Sequence, residues 1–230
     1  MNIIYEDNKI LVVYKKAGQL TQSGKSFDRD LTSEVLAYRK KKGEEVYVAV
    51  INRLDRPVSG LVLFAKTKQE AGRLSKQLQA GAFNKHYYAV ICGKMSDRSG
   101  RLVDYLKKDE KNNVSAVVSK DEEGGKRAEL EYEVLRELGQ VQGKEVSLVK
   151  IHLLTGRHHQ IRVQFASRGC PLVGDEKYGS IYGGMSTGLS VEQVRDDIGL
   201  ILGRQEIALC AYELEVDKKV YSVSPQWAQR

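Results

Sequence analysis

The chain has 230 residues, 41% of them hydrophobic, enough to bury a substantial core in one large domain or two close-packed halves. Its 37 Lys and Arg outnumber 30 Asp and Glu, a net charge of +7 that a phosphate-rich partner requires but that does not identify one. Three widely spaced cysteines, Cys92, Cys170 and Cys210, argue against a disulfide framework or zinc site, and no leader or membrane-length apolar run is visible; buried thiols and a reducing, cytoplasmic location are expected.

Ile3-Ile4-Tyr5 and Ile10–Tyr14 flank an Asp7-Asn8 turn signal and predict an opening β-hairpin, closed by Lys15-Lys16-Ala17-Gly18. Leu31–Lys42 reads as a helix with Asp30 as N-cap and Gly43 as stop. Its basic tail, Arg39–Lys42, is accounted for by a solvated helix C-terminus without invoking nucleic acid. The next stretch is the most informative. Apolar Val46–Ile51 and Leu61–Ala65 bracket Asn52-Arg53-Leu54-Asp55-Arg56-Pro57, which puts one carboxylate between two arginines on a turn between buried strands. Catalytic groups are commonly mounted on such turns.

Thr67-x-x-Glu70 is a capping box for a helix over Lys68–Ala80, with Ala71, Leu74 and Leu78 as its apolar stripe and Gly81 as its end. Lys85–Cys92 alternates as a strand, with Tyr87, Ala89 and Ile91 on one face and Tyr88, Val90 and Cys92 on the other. The polar stretch 94–127 predicts short hairpins, and strands resume at Ala128–Val134 and Val146–Leu153. Ile207–Val216 and Val220–Val223 form a final pair, and Val191–Leu202 reads as a helix within the long connection Ser180–Gln205. With only three prolines and no linker, the expected organisation is a single domain, 1–230, made of two closely packed halves. The expected class is α+β: a mixed, mostly antiparallel sheet flanked by helices around a central cleft.

A second polar cluster follows the 146–153 strand: Thr155-Gly156-Arg157-His158-His159-Gln160-Ile161-Arg162. It reads as a helix entry, with Arg157 in the first turn and His158 one turn from Arg162. Adjacent histidines point apart on a helix and no glutamate stands at metalloprotease spacing, so no metal site is expected. Gly-x-Ser-x-Gly, P-loop and dinucleotide fingerprints are missing, which leaves no cofactor implied.

The run Arg53-Leu54-Asp55 resembles the catalytic motif of RluA-type pseudouridine synthases, and Thr155–Arg162 resembles that family's Thr-Gly-Arg-x-His-Gln-Ile-Arg. Pro171-Leu172-Val173-Gly174-Asp175-x-x-Tyr178-Gly179, Lys85-x-Tyr87-x-Ala89 and Lys15-x-Ala17-Gly18 follow the family pattern in order. Asn52, Val58, Lys16 and Cys210 depart from it, at positions where the family carries histidine, threonine, proline and histidine. The S4-like module that precedes the catalytic domain in many relatives is not expected, because the pattern starts within the first few residues.

The resemblance implies cofactor-free isomerisation of uridine to pseudouridine in structured RNA, either tRNA or ribosomal RNA, by a monomer. The alternative is a catalytically silent RNA-binding protein of the same fold. Asp55 would be the reacting carboxylate. Burial alone raises an aspartate from ~3.9 by up to ~3–5 pH units, while an adjacent arginine lowers it by ~1–3, so a dry catalytic aspartate needs such a partner. The family pattern assigns that partner to Arg162 and predicts an Asp55–Arg162 salt bridge. Tyr87 would stack on the flipped base and assist proton transfer, unless a one-residue register error makes it Tyr88. Arg53 would enter the RNA or brace the turn. Lys85, Arg157, His158 and Gln160 would contact phosphate or brace their loop.

Overall fold

The computed structural model describes residues 1–23, 30–141, 143–182 and 206–228. In chain order the elements are β1 (Asn2–Glu6), β2 (Ile10–Lys15), α1 (Leu31–Lys41), β3 (Ala49–Val50), β4 (Ser59–Ala65), α2 (Lys68–Gln79) and β5 (Asn84–Cys92). Then come β6 (Ser99–Asp109), β7 (Val114–Val118), β8 (Lys126–Val141), β9 (Lys144–Leu153), α3 (Gln160–Ala166), α4 (Glu176–Tyr182), β10 (Leu209–Val216) and β11 (Lys219–Ser222). A 3₁₀ turn, Gln226–Ala228, ends the described chain. This is the α+β organisation expected. The helix expected over Val191–Leu202 lies outside the described residues.

Two compact units emerge, Met1–Asn84 with Ala211–Ser224 and Lys85–Cys210 with Pro225–Arg230. In the first, β1, β2, β4 and β10 are neighbours in that order, with β3 on β4 and β11 on β10. The Asp7 carboxylate accepts from the Lys9 and Ile10 N–H groups, turning β1 into β2. All seven residues of β4 are buried, as a continuous apolar run in a central position requires. α2 is capped by Thr67, whose hydroxyl accepts from the Glu70 N–H, and it places Leu74 at 0% exposure against Ile51, Leu63 and Phe83. Burying that one side chain contributes about 1.5–3 kcal/mol. Gly60, at φ +129°, lies so close to β10 that an added Cβ would sit 2.4 Å from the Ala211 carbonyl oxygen. Only glycine fits there, for want of both space and a compatible backbone angle.

The basic tail of α1 is more engaged than a solvated run. Arg39 is buried and bonds the Tyr47 and Lys66 carbonyls, while Lys42 bridges Glu6 and Glu44, 3.1 and 3.0 Å away. Lys40 and Lys41 remain exposed. The periodicity of a helix does not reveal which of its cations meet carboxylates from distant strands.

In the second unit β5, β9, β8, β6 and β7 are neighbours in that order, each pair antiparallel. The polar stretch expected to form short hairpins builds one, β6 with β7, in which β6 runs on to eleven residues. Its apolar positions are few, but Leu102 and Leu106 are enough to seat one face of β6. β8 runs sixteen residues and shifts register twice between Val134 and Gly139. α3 and α4 pack Val163, Ala166 and Tyr178 onto Leu106 and Ala128. All three cysteines are buried and none forms a disulfide among the described residues, as their reading as small hydrophobes expects.

Candidate active site

The Asp55 turn is a short bend entering β4. The Val58 N–H donates to the Asp55 carbonyl at 3.1 Å, with Val58 itself buried. The turn is tied to the segment after β2 on both sides of Asp55. Thr21 Oγ1 donates to the Leu54 carbonyl at 2.9 Å and accepts from the Leu54 N–H at 3.2 Å. The Arg56 carbonyl accepts from the Gly18 N–H at 2.8 Å and from Lys15 Nζ at 3.2 Å. That ammonium, 0% exposed, also donates to the Lys16 and Gln19 carbonyls. Asn52 bridges to β4, its amide donating to the Leu61 carbonyl and accepting from the Leu63 N–H. An asparagine can therefore do the bracing here without the ring of a histidine. Asp55 is half-buried, and Arg53 and Arg56 point to solvent.

In the second unit, Tyr87 is 7% exposed on β5, opposite Ile151 of β9, and Tyr88 is the more exposed of the two. The face assignment made from alternation holds.

The Thr155–Arg162 segment differs from its expected form. α3 begins at Gln160, so Arg157 and His158 precede the helix rather than ride on it. His159, at φ 54°, sits in the left-handed region and stops the helix from extending backwards. The side chain of Gln160 then organises the loop. Its Oε1 accepts from Thr155 Oγ1 at 2.7 Å and the Arg157 N–H at 3.0 Å, and its Nε2 donates to the Glu129 carbonyl and Gln164. At 3% exposure it is a loop brace, the second of the two roles open to it. Arg157 is exposed, its Nε on the Arg127 carbonyl, and half-buried Lys85 ends near Gly156. Burial pushes the Lys85 ammonium below its ordinary range.

Arg162 is forked by a residue the sequence placed only in a motif. Its Nε and Nη2 donate to the two Asp175 carboxylate oxygens at 2.7 and 2.8 Å, both side chains nearly fully buried. The guanidinium carbon lies 5.0 Å from the Tyr178 ring centroid, a cation–π contact. Tyr178 Oη accepts from the Ser115 N–H at 2.8 Å and stands 2.8 Å from His159 Nδ1. Burial, then the charge of Arg162 and the neighbouring His158, push His159 down to about 3. It is neutral at ordinary pH and shares one hydrogen bond with the Tyr178 hydroxyl through Nδ1. His158 stacks on His159 at 3.7 Å and bonds Ser115 Oγ through its own Nδ1. Asp175, Tyr178 and Ser115 belong to the site by this geometry. The Pro-Leu-x-Gly-Asp-x-x-Tyr-Gly spacing signals the first two; nothing in the sequence signals Ser115.

Among the described residues no group of three or more His, Cys, Asp or Glu is arranged to hold a metal ion. No helix among them is long and apolar enough to cross a membrane.

The fold thus carries an Arg-Leu-Asp turn in one unit and a buried arginine cluster in the other. Residues 9–167 match the RNA pseudouridylate synthase family, and the chain belongs to it. It is 32% identical over 189 residues to ribosomal large subunit pseudouridine synthase D of Borreliella burgdorferi, covering 80% of this chain and 56% of that one. It is 32% identical over 188 residues to tRNA pseudouridine synthase C of Yersinia pestis, covering 79% and 71%. The chain thus spans little more than half the length of the first of these relatives. Human RNA pseudouridylate synthase domain containing 4 shares the fold at a TM-score of 0.76 and 20% identity, over 99% of this chain and 90% of that one.

Proposed function

We propose that this protein converts uridine to pseudouridine in structured RNA, tRNA or ribosomal RNA, without a cofactor. The reading is carried by Asp55, a carboxylate half-buried on a turn whose main chain is fixed on both sides, in a chain of this family. The reaction breaks the bond from ribose C1′ to uracil N1, turns the base over and joins C1′ to C5. The C5 hydrogen is then lost and N1 gains a proton, so no redox partner is consumed. Asp55 acts either by attacking C1′ or by removing the C2′ proton; both routes need the ionised form.

In this reading Arg162 is the cationic residue that acts with Asp55. Asp175 engages the Nε and Nη2 donors of that guanidinium, and five N–H donors are not exhausted by one carboxylate. Tyr87 stacks on the displaced base, recovering about 1–3 kcal/mol of the unstacking cost. Arg53, exposed beside Asp55, holds the nucleotide out of its stack, and Lys85, Arg157 and His158 meet phosphate. A monomer in the cytoplasm is the setting proposed.

The test is tritium release from 5-³H-uridine-labelled tRNA and ribosomal RNA. Wild-type protein releases tritium, and Asp55→Ala lowers the rate on the order of 10⁴-fold or more while leaving RNA binding intact. Binding without release from any labelled RNA would make this a silent RNA-binding protein instead.

A further inference from the structure

The second unit carries a hollow of about 440 Å³ between the β6–β7 hairpin and the Gly156-Arg157-His158 loop. Four cations line it, Lys107, Lys108, Lys126 and Arg157, against one lining carboxylate, Glu110. We infer that this hollow is a docking site for the phosphodiester backbone of RNA, reached by a strand that flanks the target uridine; the inference rests on the function proposed above.

The charge pattern favours this occupant. Lys108 is held by Glu110 at 2.5 Å and Lys107 by Glu122 at 2.6 Å, both exposed pairs of little net worth that a phosphate can replace. Lys126 and Arg157 have no carboxylate partner among the described residues. The volume suits a nucleotide-sized ligand. Leu106 is the only apolar side chain in the lining, and its one ring is His158, so the hollow offers no stacking platform for a base. Contacts of this kind set register on the nucleic acid rather than read its sequence.

The wall also meets the Arg162 cluster. His158 lines the hollow and bonds Ser115, whose N–H reaches Tyr178, the ring beneath Arg162. A backbone seated here is two hydrogen bonds and one cation–π contact away from a proposed catalytic group.

The experiment uses the full chain and a fluorescein-labelled RNA stem–loop of about 20 nucleotides with a uridine-rich loop, titrated across salt concentrations. Each phosphate contact adds about 0.9 to the slope of log K against log salt, so Lys107→Gln with Lys126→Gln lowers the slope by about two. The same arithmetic makes binding roughly 30-fold weaker at 0.15 M salt. Both lysines are exposed, and Lys126→Gln alone, expected to remove about one unit of slope, serves if the double variant melts early. Lys40→Gln with Lys41→Gln, an equal charge loss on α1, leaves the slope unchanged. An unaltered slope in the hollow variants, or equal loss in the α1 control, would overturn the inference. So would displacement of the RNA by poly-glutamate at matched charge, which would make the hollow an acidic-peptide site. Tritium release by wild type from a labelled tRNA pool is scored separately, so a failed slope with intact release refutes the docking site alone.

Discussion

Around Asp55 the anchoring bonds end on the main chain: Thr21 on Leu54, Lys15 and Gly18 on Arg56, Asn52 on Leu61 and Leu63. Around Arg162 side chain meets side chain instead, through Asp175, Tyr178, His159 and His158. The first arrangement fixes where a carboxylate stands by holding the main chain on either side of it. The second makes the arginine part of its own scaffold. Losing a functional group should therefore cost chemistry at the first site and folding at the second.

The sharpest way to break that contrast is Asp175→Ala. It leaves the buried Arg162 charge without its forked partner and should lower unfolding free energy by about 3–5 kcal/mol in urea, unlike Asp55→Ala. A loss below 1 kcal/mol would erase the distinction. Next in size is Lys15→Met, which keeps the stem and removes the ammonium from three carbonyls. A loss of about 2–3 kcal/mol is expected, with tritium release down roughly 10²-fold because the turn shifts. If release held steady while stability fell, the main-chain bonds would not be what positions Asp55.

The smallest effect concerns pH. His159 has its proton affinity lowered from the ordinary 6.5 to about 3. Between those values the unfolded chain binds a proton that the native chain does not, so stability is full above pH 6.5 and drains away as pH falls. Glu44 and Asp217, both lowered to about 2, act only below their ordinary carboxylate values, so they add nothing between pH 6.5 and 4.5. His159→Asn, which tolerates the left-handed backbone, should flatten unfolding free energy across that window by on the order of 1 kcal/mol after solvent screening. An unchanged acid limb would remove His159 from the cluster's energetics.

Much of this was legible in the residues. The opening hairpin, both capped helices and the faces of β5 follow from turn chemistry, capping and alternation, which are local. Two stretches were only partly legible. β6 has Leu102 and Leu106 as its buried hydrophobics, so local pattern underestimates its length. The start of α3 depends on a left-handed His159, and nothing in a histidine's identity announces that angle. Gln160 could be read as a phosphate contact or a brace, and only its four hydrogen bonds decide. Lys15 stood in a quoted motif, but its burial comes from carbonyls at 16, 19 and 56, which no spacing rule foretells. Asp175 as the partner of Arg162 is likewise a tertiary fact, set by how α4 follows α3.

Lys15 has one more consequence. Its single ammonium, with Thr21 and Gly18, welds the stretch after β2 to a bend some forty positions later in the chain. Opening either loop takes an acceptor away from a charge held inside protein. Breathing motions of the catalytic turn are thus coupled to the second strand from the N-terminus, and amide protons on both sides should exchange with one shared rate.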